Sequence, residues 1–326
     1  MSFLLQLLVL GLFTFYFFFL ETPVDKSHRA SGLNQVLDIT SDHVSAPQAP
    51  AQVMKDVLLT EFQSDTEGQK EWVLEAKTAL SDSFEQTWDV QDSRVKFYKN
   101  NSELVRIAAV HGAINTSTRN LELHQDVKGE TESGYIFQTT SLSYVSDQER
   151  FFSKSSIYFE SPGQNTKLSG SGMDGSISSG LVEISGPIEC HQHIEGYQKA
   201  TIKSQTAQMS LQERHMIFRD NLFIQIDDIA ITGQRAEFVY SKTKGELEML
   251  RIQGRVFVTS GDRSASAERL EIQLKEDLFL FQGNPRFVSG ENVLVGNEIV
   301  LYDKGKRVQI LKGQVKSEAP KSLTED

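Results

Sequence analysis

The stretch Leu250-Arg-Ile252-Gln-Gly254-Arg-Val256-Phe-Val258 sets apolar residues or glycine at its even positions, with Arg251, Gln253 and Arg255 between them. A period of two puts Leu250, Ile252, Val256 and Val258 on one face of a β-strand. The pattern is two apolar alternates, a glycine, one residue, then a further apolar residue. It recurs as Val182, Ile184, Gly186, Ile188, then as Phe279, Phe281, Gly283, Pro285, and less cleanly around Leu311, Gly313, Val315. Two weaker copies replace the glycine: Met216, Phe218, Asp220, Leu222 and Leu121, Leu123, Gln125, Val127.

The last apolar residues of the copies fall at Ile188, Leu222, Val256, Pro285 and Val315, in steps of 34, 34, 29 and 30 residues. The opening step, from Val127 to Ile188, is 61 residues, about two units. Repetition at this period predicts a stacked antiparallel β structure with roughly two strands per repeat.

At 326 residues the chain has room for two domains or one long repetitive body. Hydrophobic residues at 39% and charged residues at 24% permit an ordered core. A net charge of −11 argues against nucleic acid as a partner, because phosphate binding needs a basic surface. The single cysteine, Cys190, excludes an intrachain disulfide without assigning a compartment.

Residues Phe3 to Leu20 form an 18-residue apolar run interrupted only by Gln6, Gly11 and Thr14. At ~1.5 Å per residue such a helix just crosses a ~30 Å hydrocarbon core. A cleaved signal peptide needs a basic start and small residues before the cut, whereas Phe17-Phe-Phe-Leu20-Glu21 closes the run. Residues 1–24 are therefore read as an uncleaved transmembrane anchor. Lys26 and Arg29 after the run would favour a cytoplasmic C-terminal side. Glu21 and Asp25 offset them, and large β domains are often exported regardless. Residues 25–52, with Ala46, Pro47, Ala49 and Pro50, read as a tether, or as a segment packing Val36, Leu37 and Ile39 on the body.

From residue 53 the alternation is regular. It predicts inward positions at Trp72 and Leu74, Tyr135 and Phe137, Ile157 and Phe159, and Val182 and Ile184. It continues through Ile224 and Ile226, Phe238 and Tyr240, Leu250, Ile252 and Val256, and Ile272. Lys99-Asn-Asn101, Gly129, Gly134 and Ser161-Pro-Gly163 are expected turns. Glu189 to Lys203 is the expected seam between two β segments, crossed by a continuous sheet because the repeat step runs through it. Residues 316–326 read as a polar tail.

With these residues in view, residues 1–190 resemble the LptC family of lipopolysaccharide-export proteins. The likeness rests on the N-terminal apolar run and on Gly68-x-x-x-Trp72-x-Leu74-x-Ala76. It rests also on Gly134-Tyr135-x-Phe137-x-Thr139-x-x-Leu142-x-Tyr144, Ser155-x-Ile157-x-Phe159, Gly170-Ser-Gly172-Met and Gly186-Pro-Ile188. Residues 200–315 resemble the LptA/OstA-like domain through Ala236-Glu-Phe238-Val-Tyr240, Gly254-Arg-Val256 and Gly283-Asn-Pro285. The two are usually separate proteins.

The resemblance implies an all-β fold, an elongated incomplete antiparallel jellyroll in two consecutive segments, 53–190 and 200–315. It implies that the inward residues named above line a groove for lipopolysaccharide acyl chains, each buried CH₂ contributing roughly 0.8 kcal/mol. The implied partners are lipopolysaccharide, an inner-membrane lipopolysaccharide-export ABC transporter, and other OstA-like jellyrolls or a second copy through edge-strand pairing. The implied location is the inner membrane, single-pass, with the β body in the periplasm.

Other constellations carry less. Gly170-Ser-Gly172-Met-Asp-Gly175 has the spacing of a dinucleotide fingerprint, but a strand composition follows it, so a glycine-rich hairpin is expected instead. Cys190-His191-Gln-His193 sets possible metal ligands on opposite faces of a strand, and no metal is assigned. Asp227-Asp228 reads as a hairpin tip. No cofactor and no catalysis are assigned. The competing readings are an anchored envelope scaffold with a filled core and, more remotely, an envelope hydrolase using paired carboxylates.

Overall fold

The computed structural model describes residues 52–63, 68–81, 86–161, 166–194, 199–210, 215–241, 246–302 and 307–316, with side chains through residue 310. The expected anchor, nearly all of the tether, the Pro162-Gly163 turn and the tail beyond residue 316 lie outside these residues. Among the described residues no helix is long and apolar enough to cross a membrane.

Residues 49–326 form one compact unit, whose described residues are all-β apart from a single 3₁₀ turn at Ser146–Gln148. Its strands are β1 (Gln52–Phe62), β2 (Lys70–Ser81), β3 (Thr87–Lys99), β4 (Ser102–Asn115), β5 (Leu121–Thr131), β6 (Ile136–Val145) and β7 (Arg150–Ser153). Next come β8 (Ile157–Ser161), β9 (Thr166–Gly170), β10 (Gly172–Ser176), β11 (Leu181–Gln192), β12 (Ala200–Ser210), β13 (His215–Ile226) and β14 (Ile229–Tyr240). The last are β15 (Leu247–Ser260), β16 (Arg263–Gln273), β17 (Leu278–Gln282), β18 (Arg286–Ser289), β19 (Asn292–Tyr302) and β20 (Arg307–Lys316).

All pairings are antiparallel and, once the split strands below are counted as single passes, join passes that follow one another along the chain, an arrangement consistent with a jellyroll. Three passes of the chain are split in two. The pairs β7 with β8, β9 with β10, and β17 with β18 are each two halves of one pass, because both halves bond the same neighbouring strand.

The split reflects a bend that nearly every pass shares. Register breaks fall between His124 and Val127, Ser185 and Ile188, Arg219 and Leu222, and Gln253 and Val256. At these breaks the backbone turns left-handed: Gln125 (60°) and Asp126 (49°), Gly186 (89°), Asp220 (64°) and Asn221 (51°), Gly254 (84°) and Arg255 (48°). Gly283 (79°) and Asn284 (54°) do the same between β17 and β18, and Asp56 (52°) and Asp92 (50°) do so on β1 and β3. Where the register breaks these are β-bulges, an extra residue set against the partner strand, which bend and twist a strand; Asp56 and Asp92 are single left-handed residues at which the register is kept.

Left-handed backbone explains the residue types. L side chains there cost roughly 1–2 kcal/mol, which Gly avoids and Asn or Asp partly offset. The bulges occupy every second pass, so the sequence period of about two strands is the period of the bend. At Gly254 there is a second reason for glycine: an added Cβ would lie 2.8 Å from the Gln234 Cβ and 2.4 Å from its Oε1.

The double step between Val127 and Ile188 also resolves. No left-handed residue falls within β7 or β8. There the corner is held by hydroxyl pairs, Thr139 with Ser153 at 3.1 Å and Ser141 with Ser155 at 2.9 Å.

Two expected turns lie elsewhere. Gly129 sits inside β5, where an added Cβ would come 2.0 Å from the Phe137 ring, so the glycine makes room for an aromatic on the next strand. Gly170 and Gly172 flank the corner between β9 and β10 rather than a hairpin tip; a Cβ at Gly170 would strike the Ile184 Cγ2 at 2.4 Å. Asn100 and Asn101, Gly134 and Asp227 do form turns, each with positive φ. The Glu189–Lys203 seam lies within the sheet, since β11 and β12 pair through Gln192 with Ala200.

Gly254→Ala is expected to destabilise the fold by about 1–3 kcal/mol, read as a lower urea midpoint, since it strains the backbone and crowds Gln234. Cys190 is fully buried, and burial pushes its thiol up to about 12. It should therefore resist alkylation by iodoacetamide at pH 8 in the folded chain and react once urea unfolds it.

Candidate functional site

The line of bulges divides the sheet into two leaves that meet at a corner. The first leaf holds halves such as Lys70–Ala76 of β2 and Ile188–Gln192 of β11. The second holds halves such as Ser141–Val145 of β6 and Arg235–Tyr240 of β14. Their inward faces touch. Phe97 of β3 packs on Tyr144 of β6 at 4.7 Å between ring centroids and on Phe151 of β7 at 4.6 Å. Yet β3 is hydrogen-bonded only to β2 and β4.

All sixteen residues expected inside are buried, none more than 8% exposed. Trp72 and Leu74 lie on β2, Tyr135 just before β6 with Phe137 in it, Ile157 and Phe159 on β8, and Val182 and Ile184 on β11. Ile224 and Ile226 lie on β13, Phe238 and Tyr240 on β14, Leu250, Ile252 and Val256 on β15, and Ile272 on β16. They belong to one apolar cluster that runs without interruption from Val57 to Leu301. Alternate residues Arg251, Gln253 and Arg255 face solvent.

Two apolar clefts open between the leaves. One, of about 40 Å³, is lined by Val105, Phe137, Phe151, Phe159, Met173 and Val182. The other, of about 50 Å³, is lined by Ile229, Val258, Phe279, Phe281, Phe287 and Leu301. An apolar cavity of about 150 Å³ can hold one benzene, and these clefts are about a third of that, so a fatty chain would enter only if the walls parted.

Opposite the corner, the free margins of the leaves are joined by polar side chains that alternation did not reveal. Glu71, 6% exposed on the first leaf, accepts hydrogen bonds from the Tyr144 hydroxyl at 2.8 Å and from the Ser146 hydroxyl. Arg119 reaches across from the turn after β4, its Nη1 lying 3.4 Å from Glu71 Oε2 and 3.8 Å from Glu61 Oε1.

That turn is built by Asn115, whose Oδ1 accepts from the amides of Ser117 at 3.1 Å and Thr118 at 2.9 Å. Burial, and then the charge of Glu71, hold the Tyr144 phenol well above its ordinary range, so it remains a donor. Burial likewise raises the Glu61 carboxyl.

Two further bridges follow. Lys99 donates to the Ser178 carbonyl at 2.7 Å, and the Tyr240 hydroxyl donates to Gln192 Oε1 at 3.0 Å. Tyr240 is thus an inward residue with its polar end tied at the margin. These partners lie 48 to 79 residues apart, and no local pattern announces them. The structure marks the place at Glu71 to Leu74, four consecutive buried residues where strict alternation would expose two.

A bent antiparallel sheet whose leaves enclose a single apolar interior is an all-β architecture of the jellyroll kind. The chain belongs to the LptC-related lipopolysaccharide-assembly family, whose model matches residues 5–193. Residues 201–316 match the model of the LptA/(LptD N-terminal domain) lipopolysaccharide transport protein. Among 18 matching solved chains is the crystal structure of LptH, the LptA-homologous periplasmic component of the lipopolysaccharide transport device of Pseudomonas aeruginosa. It is 13% identical with a TM-score of 0.32, and the match covers 37% of this chain and 90% of that one. No curated protein matches.

Arg119→Met removes the cation beside a buried carboxylate and should cost about 2 kcal/mol in urea unfolding, with Glu71→Gln in the same chain restoring most of it. A double-variant loss equal to the sum of the Arg119→Met and Glu71→Gln single losses would show that the pair contributes nothing.

Proposed function

We propose that this chain carries lipopolysaccharide across the periplasm, sheltering its acyl chains between the two leaves while sugars and phosphates stay outside. The observation that carries this reading is the apolar interior, unbroken from Val57 to Leu301 through both matched regions. The groove lining would be the sixteen buried residues, from Trp72 to Ile272. Residues 53–190 and 200–315 would act as two consecutive incomplete jellyroll segments that share the β11–β12 hairpin. No step needs a cofactor or a catalytic group; direction would come from ATP hydrolysis in an inner-membrane export transporter.

Residues 1–24 would anchor the chain in the inner membrane, 25–52 would set the body off the bilayer, and 316–326 would trail as a polar tail. At the ends of the sheet, among the described residues, β1 pairs only with β2, and β20 only with β19. Such edges offer unpaired backbone to another strand. The natural occupants are a transporter-side jellyroll at β1, where Val53 and Leu58 are each 65% exposed, and another OstA-like jellyroll or a second copy at β20.

The small size of the two clefts favours a second reading, a membrane-anchored envelope scaffold with an ordinary core. A photo-crosslinking residue at Phe238 or at Ile252 separates the two in cells making lipopolysaccharide. Adducts at these inward positions and none at Arg251 are expected. Adducts confined to Arg251 would leave only the scaffold.

A further inference from the structure

Among the described residues, one buried side-chain nitrogen or oxygen has no hydrogen-bond partner: the indole Nε1 of Trp72. The residue is 3% exposed. A buried donor left unpaired costs about 1–3 kcal/mol, so native structures rarely keep one without a use. The rest of the neighbourhood is satisfied with care. Glu71, next in the chain, is bonded by Tyr144, Ser146 and Arg119.

The position of Trp72 along its strand is informative. β2 enters the first leaf at its margin, at Lys70, and runs toward the corner, where Ala76 and Thr78 flank Lys77, the gap in pairing with β1 and β3. Its inward side chains are therefore, from margin to corner, Trp72, Leu74 and Ala76, each buried. A donor stands at the margin, and only apolar groups lie deeper.

That order matches the chemistry of an acylated lipid. Its carbonyl acceptor sits where the chain joins the headgroup, and beyond it there is only hydrocarbon. We propose that the Trp72 indole N–H is the hydrogen-bond anchor for the ester or amide carbonyl of a bound acyl chain, fixing how deep the chain can slide. The anchor positions cargo, since the apolar wall alone would hold a chain at any depth. This rests on the transport reading above and adds a specificity to it: cargo with a carbonyl at the head of its chain is preferred to a plain hydrocarbon tail.

The chain has two tryptophans, Trp72 and Trp88, so ¹⁵N-tryptophan labelling of the full chain in nanodiscs gives two indole signals. Trp88→Phe assigns them. Purified lipopolysaccharide should move the Trp72 indole proton downfield and slow its exchange. Trp72→Phe keeps an aromatic ring and loses the donor. It should still fold, because relief of the unpaired donor offsets part of the cost of the cavity left by the smaller ring, yet bind lipopolysaccharide about three- to tenfold more weakly.

An unmoved Trp72 signal alongside lipid adducts at Phe238 would sink the anchor and leave the transport reading standing. Absence of both adducts and shift would overturn the two together. A Trp72 indole proton already downfield before lipopolysaccharide is added would also refute the anchor.

Discussion

The fold depends on one backbone constraint: every second pass of the sheet, with a single exception, must place a residue or a pair of residues in the left-handed region at the same height. Without those bulges an alternating sheet of this length would have one apolar face and nothing to cover it. With them each strand folds over a common line, and its inward residues on one side of the corner meet those of later strands on the other. Phe97 against Tyr144 and Phe151 shows that meeting. Each left-handed non-glycine residue costs roughly 1–2 kcal/mol. Full burial of one Phe, Leu or Ile contributes about 1.5–3 kcal/mol. One extra inward contact per pass therefore repays the bend.

This constraint accounts for what was legible in the sequence. Gly186, Asp220, Gly254 and Gly283 mark the period because the bend admits few residue types, and the flanking alternates mark the inward face because a strand has period two. The corner itself was not legible, since glycine within an alternating run reads equally as a kink, a turn or a close approach. Gly129 shows the ambiguity: its empty side is filled by Phe137 on the next strand. The margin was hidden for a different reason. Glu71, Arg119 and Tyr144 meet because the leaves face each other with an offset of several strands, and such an offset is a property of the assembled sheet. The missing copy between Val127 and Ile188 was silent because serine and threonine pairs hold that corner without any unusual φ.

The same offset bears on how the two matched regions are joined. The boundary between residues 193 and 201 falls in the connection between β11 and β12, and these strands pair on both sides of the corner. Tyr240, within the second matched region, donates across the margin to Gln192, within the first. The interior under this bond is continuous, with Ile188 and Cys190 in the same cluster as Ile202 and Ile224. The joint between the regions is an ordinary hairpin of one sheet, held by the same backbone ladder as every other.

A closed interior and a lipid-carrying one need not be opposed, given where the free energies lie. Parting the leaves uncovers apolar side chains, and an inserted acyl chain covers them again, so the hydrophobic contributions largely exchange. What does not exchange is the polar margin, where each bond contributes about 0.5–1.5 kcal/mol net and charged ones about 1.5–3. Four methylenes taken from water, at roughly 0.8 kcal/mol each, offset even a charged bridge. The margin can therefore keep the empty protein shut and soluble without trapping it shut once a long chain is at hand. On the transport reading its bridges, from Glu61 to Tyr240, would set where along the sheet opening is hardest.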